Sequence, residues 1–328
     1  MIDLTKLPDD HFERRRLLLL DGLEDQASSL CNYLAAHYPQ RDLLQACSEF
    51  VYLDLTDGCK GDADSLVVRL GFFPWVEVEM ELGECLNCLI LERLKGTMDS
   101  LRRALELAVV AAYFSQANVP SKEAREWLAS RGNTPFFSKA IKHLAEAPGF
   151  CAAQSSWQWA DAVKKLYWNL CDYSHCKGLE FSLRALSNGV ADVCGVSLLW
   201  PKSETRGRIF DLYIEVVQQI ATILVLYNPV LMIGLPVDEK FGLWGPASGI
   251  FNAAQTARLK RVLPATYRDA LAQIAQNDNQ AQSICEWVKN MPDLSSEELR
   301  TQAAEHAELL KGLATPPRQM PPSGGTDV

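Results

Sequence analysis

The spacing of apolar residues predicts α-helices along nearly the whole chain. Two stretches show this best, because their apolar side chains recur three or four positions apart and so align on one helix face. The first comprises Leu94, Met98, Leu101, Leu105, Ala108 and Ala112. The second comprises Trp159, Val163, Leu166, Leu170 and Tyr173. Strands do not alternate with helices, so the pattern predicts an all-α fold rather than an α/β fold.

Turn-forming residues divide this pattern into elements. We predict one long helix over about 76–115, a turn at Pro148-Gly149, and further helices over about 156–174 and 208–227. Residues 65–75 are apolar and aromatic, a composition that fits either a helix or a strand. A large part of the chain is therefore expected to form a helical bundle.

Helix-capping and turn-forming residues also suggest how the chain is divided into regions. Ser295 stands three residues before Glu298, as in a capping box, and predicts the start of a late helix. The last residues are rich in proline and glycine, which predicts disorder. The expected regions are an N-terminal helical region (1–75), a helical core (76–235), a C-terminal helical region (236–313) and a disordered tail (314–328).

Composition limits the class of function. The chain has 328 residues, of which 48 % are hydrophobic and 22 % charged, a balance that can bury a large core. Its formal net charge of −9 disfavours a protein that coats nucleic acid, although a local basic pocket remains compatible with it. The apolar run at 220–235 is broken by Asn228-Pro229, so we expect a buried helix and no membrane span.

Cysteine usage predicts a cytoplasmic protein. The chain contains ten cysteines, and Arg14–Arg16 precede only four leucines, too few for an export signal. We therefore expect reduced, mostly buried thiols. Cys85 and Cys88 form a CxxC pair without a second pair at finger-like spacing, so core packing is the favoured interpretation. A metal site built from Cys85, Cys88, Cys171, Cys176 and His175 is the alternative.

Arg102 and Glu106 are the first candidate functional residues. They stand four positions apart and so lie one turn from each other on the predicted long helix, with Tyr113 further along the same row. The pair can be a simple intrahelical salt bridge. Alternatively, Arg102 binds an anionic group of a substrate and Glu106 orients it. Arg103 is a second candidate for this role.

The segment 167–178 carries the second group of candidates. Asp172 and His175 stand three positions apart at the end of a predicted helix, where the helix dipole favours a protonated imidazole. A histidine in that position can act as a general acid or base near neutral pH. It can also simply complement the dipole and bond to the last carbonyls. Tyr167 and Lys177 flank these residues and are candidate substrate-binding groups.

These residues together resemble a known family. An Arg-x-x-x-Glu on one helix, followed some 60–70 positions later by Tyr-x-x-Leu-x-x-Tyr-x-His, is similar to helical bacterial proteins related to HEPN domains. The residues that carry the resemblance are Arg102, Glu106, Tyr167, Leu170, Tyr173 and His175. It covers about 86–227 and implies a HEPN-like helical bundle with additional N- and C-terminal helices. HEPN domains occur in toxins, abortive infection and other antiviral systems, often as homodimers; many are metal-independent ribonucleases and others are non-catalytic.

The chain departs from that family at the nuclease motif. The motif is an arginine, four to six residues, and then a histidine, but positions 168–170 before His175 are Trp, Asn and Leu. The match at Arg300 and His306 falls on a predicted polar helix, where a solvated face is the better interpretation. The resemblance therefore does not carry over the usual arginine–histidine pair.

Two functions remain open at this point. The first is a defence or toxin-type effector that cleaves RNA without metal or cofactor. The second is a non-catalytic interaction module whose partner is a protein of the same system. The first assigns catalysis to His175, Arg102, Glu106 and Asp172, and substrate binding to Arg103, Tyr113, Tyr167 and Lys177. The resemblance implies a homo-oligomer in either case.

Aromatic residues are concentrated in the predicted helix before His175. Side chains at this spacing usually belong to a core, and we favour that interpretation. Stacking on nucleic-acid bases is the alternative. The residues concerned are Trp157, Trp159, Tyr167, Trp168 and Tyr173.

Overall fold

The computed structural model confirms an all-α fold for the part of the chain that it describes. No strand occurs among these residues. The described residues are 27–59, 72–90, 93–116, 119, 121–174, 203–242 and 249–314. His175, Cys176, Lys177 and the tail predicted to be disordered, apart from its first residue, lie outside them.

An antiparallel pair of helices replaces the long helix predicted over 76–115. Helix α1 covers 27–36, α2 Arg41–Leu53, α3 Phe72–Ile90 and α4 Leu94–Phe114. Glu81 pairs with Arg103, and Cys88 lies beside Gly96, so α3 and α4 run in opposite directions. The prediction of one continuous helix was wrong because folding back lets the apolar stripes of both segments pack against each other. Phe72–Trp75 are helical rather than a strand.

Four shorter helices follow α4. They are α5 (Ser121–Leu128), α6 (Phe137–Leu144), α7 (Pro148–Trp157) and α8 (Trp159–Ser174). The turn predicted at Pro148-Gly149 is wrong: Pro148 occupies the first position of α7, where a missing N–H has no cost. Gln158 adopts a left-handed conformation with φ 57° and separates α7 from α8. Both α6 and α8 pack against α4.

The most apolar helix lies at the centre. Helix α9 (Ser203–Tyr227) packs against α2 and α4, and nearly all of its residues from Val216 to Leu226 are buried. One helix in the described part of the chain, Gly207–Tyr227 within α9, is long and apolar enough to cross a membrane. In its most apolar window, 83 % is buried inside the protein. The apolar face is thus covered by neighbouring helices.

The C-terminal region adds five helices among the residues described. They are α10 (Val237–Phe241), α11 (Ala253–Val262), α12 (Ala265–Asn277), α13 (Asn279–Asn290) and α14 (Ser296–Ala314). The predicted capping box is confirmed, since Ser295 N–H donates to Glu298 and Glu298 N–H donates to Ser295 Oγ. One apolar core extends from Leu30 to Ala275 and thereby joins helices of the N-terminal, central and C-terminal regions.

Candidate functional site

Arg102 and Glu106 form an ion pair on α4. Arg102 Nη1 donates to Glu106 Oε2 at 3.1 Å, and the two side chains are 24 % and 22 % exposed. Because the residues are one turn apart, the helix itself aligns them. The pair is half-buried, which reduces the screening by water that weakens exposed pairs.

Tyr167 connects this pair to α8. Its hydroxyl donates to Glu106 Oε1 at 3.5 Å. Burial, followed by the charge of Glu106, raises the pKa of Tyr167 to about 12, while Arg102 acts in the opposite direction. The phenol is therefore neutral near pH 7 and serves as a donor. The structure thus brings together three residues that the sequence proposed for one site: Arg102, Glu106 and Tyr167.

One nitrogen of Arg102 has no hydrogen-bond partner. Arg102 Nε is buried, although part of the side chain reaches solvent. Cys171 lies one turn after Tyr167 on α8. It is close enough to interact with the Tyr167 hydroxyl and with the charge of Arg102. Burial raises the pKa of the Cys171 thiol, so the thiol is protonated and is not an activated nucleophile. The cluster therefore contains a cation with one unsatisfied donor.

Arg103 points to a different neighbour from Arg102. Its Nε and Nη2 donate to the two carboxylate oxygens of Glu81 on α3 at 2.7 and 2.8 Å, and Nη2 also contacts Ser100 Oγ at 3.1 Å. This bidentate geometry fixes α3 to α4. The expected substrate-binding role of Arg103 competes with these bonds.

Tyr113 belongs to a second cluster. Its hydroxyl donates to Glu123 at 3.2 Å, and Lys139 donates to the same carboxylate at 3.0 Å. Lys139 also lies 5.6 Å from the centre of the Tyr113 ring. Tyr113 is eleven positions after Arg102, about 16 Å along α4. It lies on the predicted row but too far along it to contact a group held by Arg102.

Asp172 lies on α8 and is half-buried. It follows Tyr167 by five positions, and its charge acts on the neighbouring Cys171. His175 and Lys177 lie outside the described residues. Arg300, in the alternative arginine–histidine motif, is exposed on α14, and His306 on the same helix is half-buried.

The cysteines occupy different surroundings. Cys85 is fully buried and lies near Cys88, Glu81 and Glu84; burial raises its pKa. The Cys88 thiol donates to Glu84 at 3.4 Å. Cys171 instead lies beside Arg102. Within the described residues, no three side chains of His, Cys, Asp or Glu are grouped so that they could hold a metal ion.

The aromatic residues of α7 and α8 divide into core and surface. Trp159, Tyr167 and Tyr173 are buried, as the core interpretation predicted. Trp157 stacks on Tyr267 with ring centres 4.9 Å apart. Trp168 differs, because 58 % of it is exposed.

Phe136 and Phe137 were not singled out from the sequence. Phe137 stacks on Tyr167 with ring centres 3.8 Å apart and planes 10° apart, and so supports the tyrosine of the site. Phe136 is 82 % exposed. Nothing in the sequence shows which of these two adjacent phenylalanines is buried. That depends on how α6 packs against α8.

Comparisons with known proteins identify no relative of this chain. No protein-family model, curated protein or solved structure matches this chain.

Proposed function

We propose that the protein is an RNA-acting effector of a bacterial defence or toxin system, with its site where α4 meets α8. The observation that supports this most directly is the Arg102 side chain, which is 24 % exposed and is held in place by Glu106. A phosphate oxygen is an acceptor that guanidinium groups bind well.

The proposed chemistry is metal-independent cleavage. Arg102 binds the phosphate, while Glu106 and Tyr167 hold the guanidinium in place. His175 follows Ser174, the last residue of α8, and takes the proton of the 2′-hydroxyl as that oxygen attacks phosphorus. The P–O5′ bond breaks, and the 5′-oxygen receives the proton from the imidazolium. The products are a 2′,3′-cyclic phosphate and a 5′-hydroxyl, and Asp172 orients the imidazole.

Cleavage of mixed RNA in the presence of a chelator tests this proposal. We expect Arg102→Ala to lower the rate by about 100-fold, because it removes a donor to developing negative charge. His175→Ala is expected to abolish the reaction. Arg300→Ala and His306→Ala serve as matched controls on α14 and are expected to leave the rate unchanged. Absence of cleavage by the wild-type protein, or equal cleavage by His175→Ala, would contradict the proposal.

A non-catalytic interaction module is the second candidate. It is favoured by the internal pairing of Arg103 with Glu81 and of Arg102 with Glu106, since both arginines already fasten helices or turns. On this alternative, wild-type protein does not cleave RNA. Arg102→Ala then lowers the melting temperature without any effect on RNA, and the partner is a protein of the same system.

A further inference from the structure

Exposed apolar side chains are concentrated on α2 and α3. In the part of the chain that the structure describes, eight large apolar side chains are exposed, and four of them lie on these two helices. The four are Tyr52 (56 % exposed), Leu53 (57 %), Phe73 (47 %) and Met80 (62 %). Single exposed apolar residues are common on soluble proteins, whereas neighbouring ones mark interaction surfaces. Their arrangement on the helices therefore decides whether they form such a surface.

Three of these side chains are neighbours. Phe73 and Met80 stand seven positions apart, so both lie on one face of α3, about 10 Å apart along its axis. Gly83 follows Met80 by one turn on the same helix. Tyr52 reaches this face from α2, because its hydroxyl lies 3.6 Å from the position that a Cβ on Gly83 would occupy. An apolar surface therefore runs along α3 and is bordered by α2.

Glutamates alternate with these apolar residues. Helix α3 contains four glutamates and neither lysine nor arginine. Glu77 and Glu84 stand in the same row as Phe73 and Met80, at successive spacings of four, three and four positions, and so lie on the same face. Among the described residues, no lysine or arginine pairs with Glu77 or Glu84. The α3 surface, as we call this face, comprises Tyr52, Phe73, Glu77, Met80 and Glu84.

The α3 surface is held rigidly by the residues beside it. Glu81 accepts two hydrogen bonds from Arg103, which fastens α3 to α4. Glu79 forms a hydrogen bond with Thr56, in the turn after α2. Both glutamates are adjacent to Met80 in the chain, so the exposed methionine lies between two fixed points. A partner that binds here therefore does not have to order the backbone of α3.

We infer that the α3 surface binds a basic amphipathic helix of another protein. Charge complementarity argues for this partner, because glutamates without a cation attract lysine and arginine and repel nucleic acid and anionic lipid. The row also argues for a helix, because its apolar residues and its acidic residues each recur after seven positions, the repeat at which two packed helices face each other. The partner is expected to present apolar side chains to Phe73 and Met80, and basic side chains to Glu77 and Glu84.

A designed peptide tests this surface. The probe is a fluorescent peptide of leucine, alanine and lysine, about 18 residues long, in which leucine and lysine each recur after seven positions on one helix face. A scrambled peptide of the same composition controls for general attraction to an acidic protein. Fluorescence anisotropy is measured with the full-length protein in the absence of RNA. We expect the amphipathic peptide to bind about 10-fold or more tightly than the scrambled one.

Alanine variants locate the contact. Met80→Ala and Tyr52→Ala are each expected to raise Kd for the amphipathic peptide by about 5- to 30-fold, the loss typical of a central interface residue. Trp287, on α13, is 52 % exposed and offers a matched apolar control, so Trp287→Ala is expected to leave Kd unchanged. Thermal melting of each variant shows whether it is folded.

Salt dependence tests the glutamates. The double variant Glu77→Gln/Glu84→Gln is expected to bind the peptide more weakly at low salt, and its Kd should depend less on salt than that of the wild type. Glu297 and Glu305 are exposed on α14. The variant Glu297→Gln/Glu305→Gln changes the net charge by the same amount and is expected to leave Kd and its salt dependence unchanged.

Three results would each overturn the inference. The first is equal binding of the amphipathic and scrambled peptides, and the second is an unchanged Kd in both Met80→Ala and Tyr52→Ala. The third is a wild-type dimer that Met80→Glu converts to a monomer in sedimentation, because a second copy of the chain would then occupy the surface. Peptide binding and RNA cleavage are measured separately, so either proposal can fail while the other stands.

Discussion

Asp54 accepts two hydrogen bonds from Arg258, although the residues stand 204 positions apart in the chain. Arg258 Nε and Nη2 each lie 2.7 Å from a carboxylate oxygen of Asp54. Asp54 is fully buried, whereas the Arg258 side chain is 29 % exposed. This contact fastens α11 to the turn after α2.

Removal of this arginine is expected to destabilise the protein strongly. Arg258→Ala leaves a buried carboxylate without its cation, and such changes cost about 3–5 kcal/mol. Urea unfolding measures the loss. Arg261→Ala is the control, because the Arg261–Glu49 pair on the same helices is 3.5 Å long and more exposed; its loss is expected to cost under about 1 kcal/mol. Equal effects of the two variants would contradict the assignment.

Substitution of Gly96 by alanine is not expected to stabilise α4, although alanine normally stabilises a helix relative to glycine. An added Cβ would lie 2.8 Å from Cys88 Sγ, so the thiol or the helix must move. Gly83 on α3 is the control, since its Cβ would approach only Tyr52 Oη, at 3.6 Å. We expect Gly83→Ala to stabilise by about 0.5–1 kcal/mol, the difference in helix propensity.

Removal of the thiol provides the decisive comparison for Gly96. We expect Gly96→Ala to destabilise the wild type, but to stabilise the Cys88→Ala variant, in which the obstructing sulfur is absent. Free energies of unfolding from urea titrations measure both steps. If Gly96→Ala has the same effect in both backgrounds, the contact does not determine the cost.

Phe137 and Tyr167 are expected to be coupled. Their stacked rings should contribute about 0.5–1.5 kcal/mol beyond the area that they bury. A double-mutant cycle with Phe137→Leu and Tyr167→Leu measures this energy. Phe150 and Trp159, 4.8 Å apart but inclined at 60°, offer a second cycle with another ring geometry. A coupling energy near zero for Phe137 and Tyr167 would remove the support that α6 gives to the site.

The cap of α14 is expected to depend on pH. Hydrogen bonds from the Ser295 hydroxyl, and then from its N–H, lower the pKa of Glu298 below its usual value. A lowered carboxyl pKa stabilises the folded state above the unfolded pKa, and this contribution is lost as the pH falls through the folded pKa. Nuclear magnetic resonance titration of Glu298 measures the shift.

Ser295→Ala is expected to raise the pKa of Glu298 towards its usual value, because the hydroxyl donor is removed. Thr301→Ala is the matched control, since its hydroxyl donates to the carbonyl of Glu297 rather than to a carboxylate. An unchanged Glu298 titration in Ser295→Ala would show that the hydroxyl is not the cause.

Local features of the fold could be predicted from the sequence. The capping box of Ser295 and Glu298 depends on residues three positions apart, and the Arg102–Glu106 contact on residues four positions apart. Helix geometry alone places such residues together. The contact of Tyr167 with Glu106 needed one more assumption, that two amphipathic helices pack by their apolar faces.

Contacts between distant elements could not be predicted in the same way. Leu91 and Leu94 keep the apolar spacing between the two helices, so the pattern does not show that α3 and α4 are antiparallel. The pairing of Arg103 with Glu81 follows from that arrangement. The aromatic spacing of α8 does not show that Trp168 is 58 % exposed while the adjacent Tyr167 is buried.

The apolar surface of the central helix α9 must be covered soon after it is synthesised. The most apolar window within Gly207–Tyr227 has a mean hydropathy of 1.7, so this stretch is prone to aggregate while it is uncovered. Ribosomes extend the chain from the N-terminus at about 5–20 residues per second, so α2 and α4 emerge first. They can cover α9 soon after it leaves the exit tunnel. A circular permutant that begins with α9 would expose this stretch before α2 and α4 are synthesised.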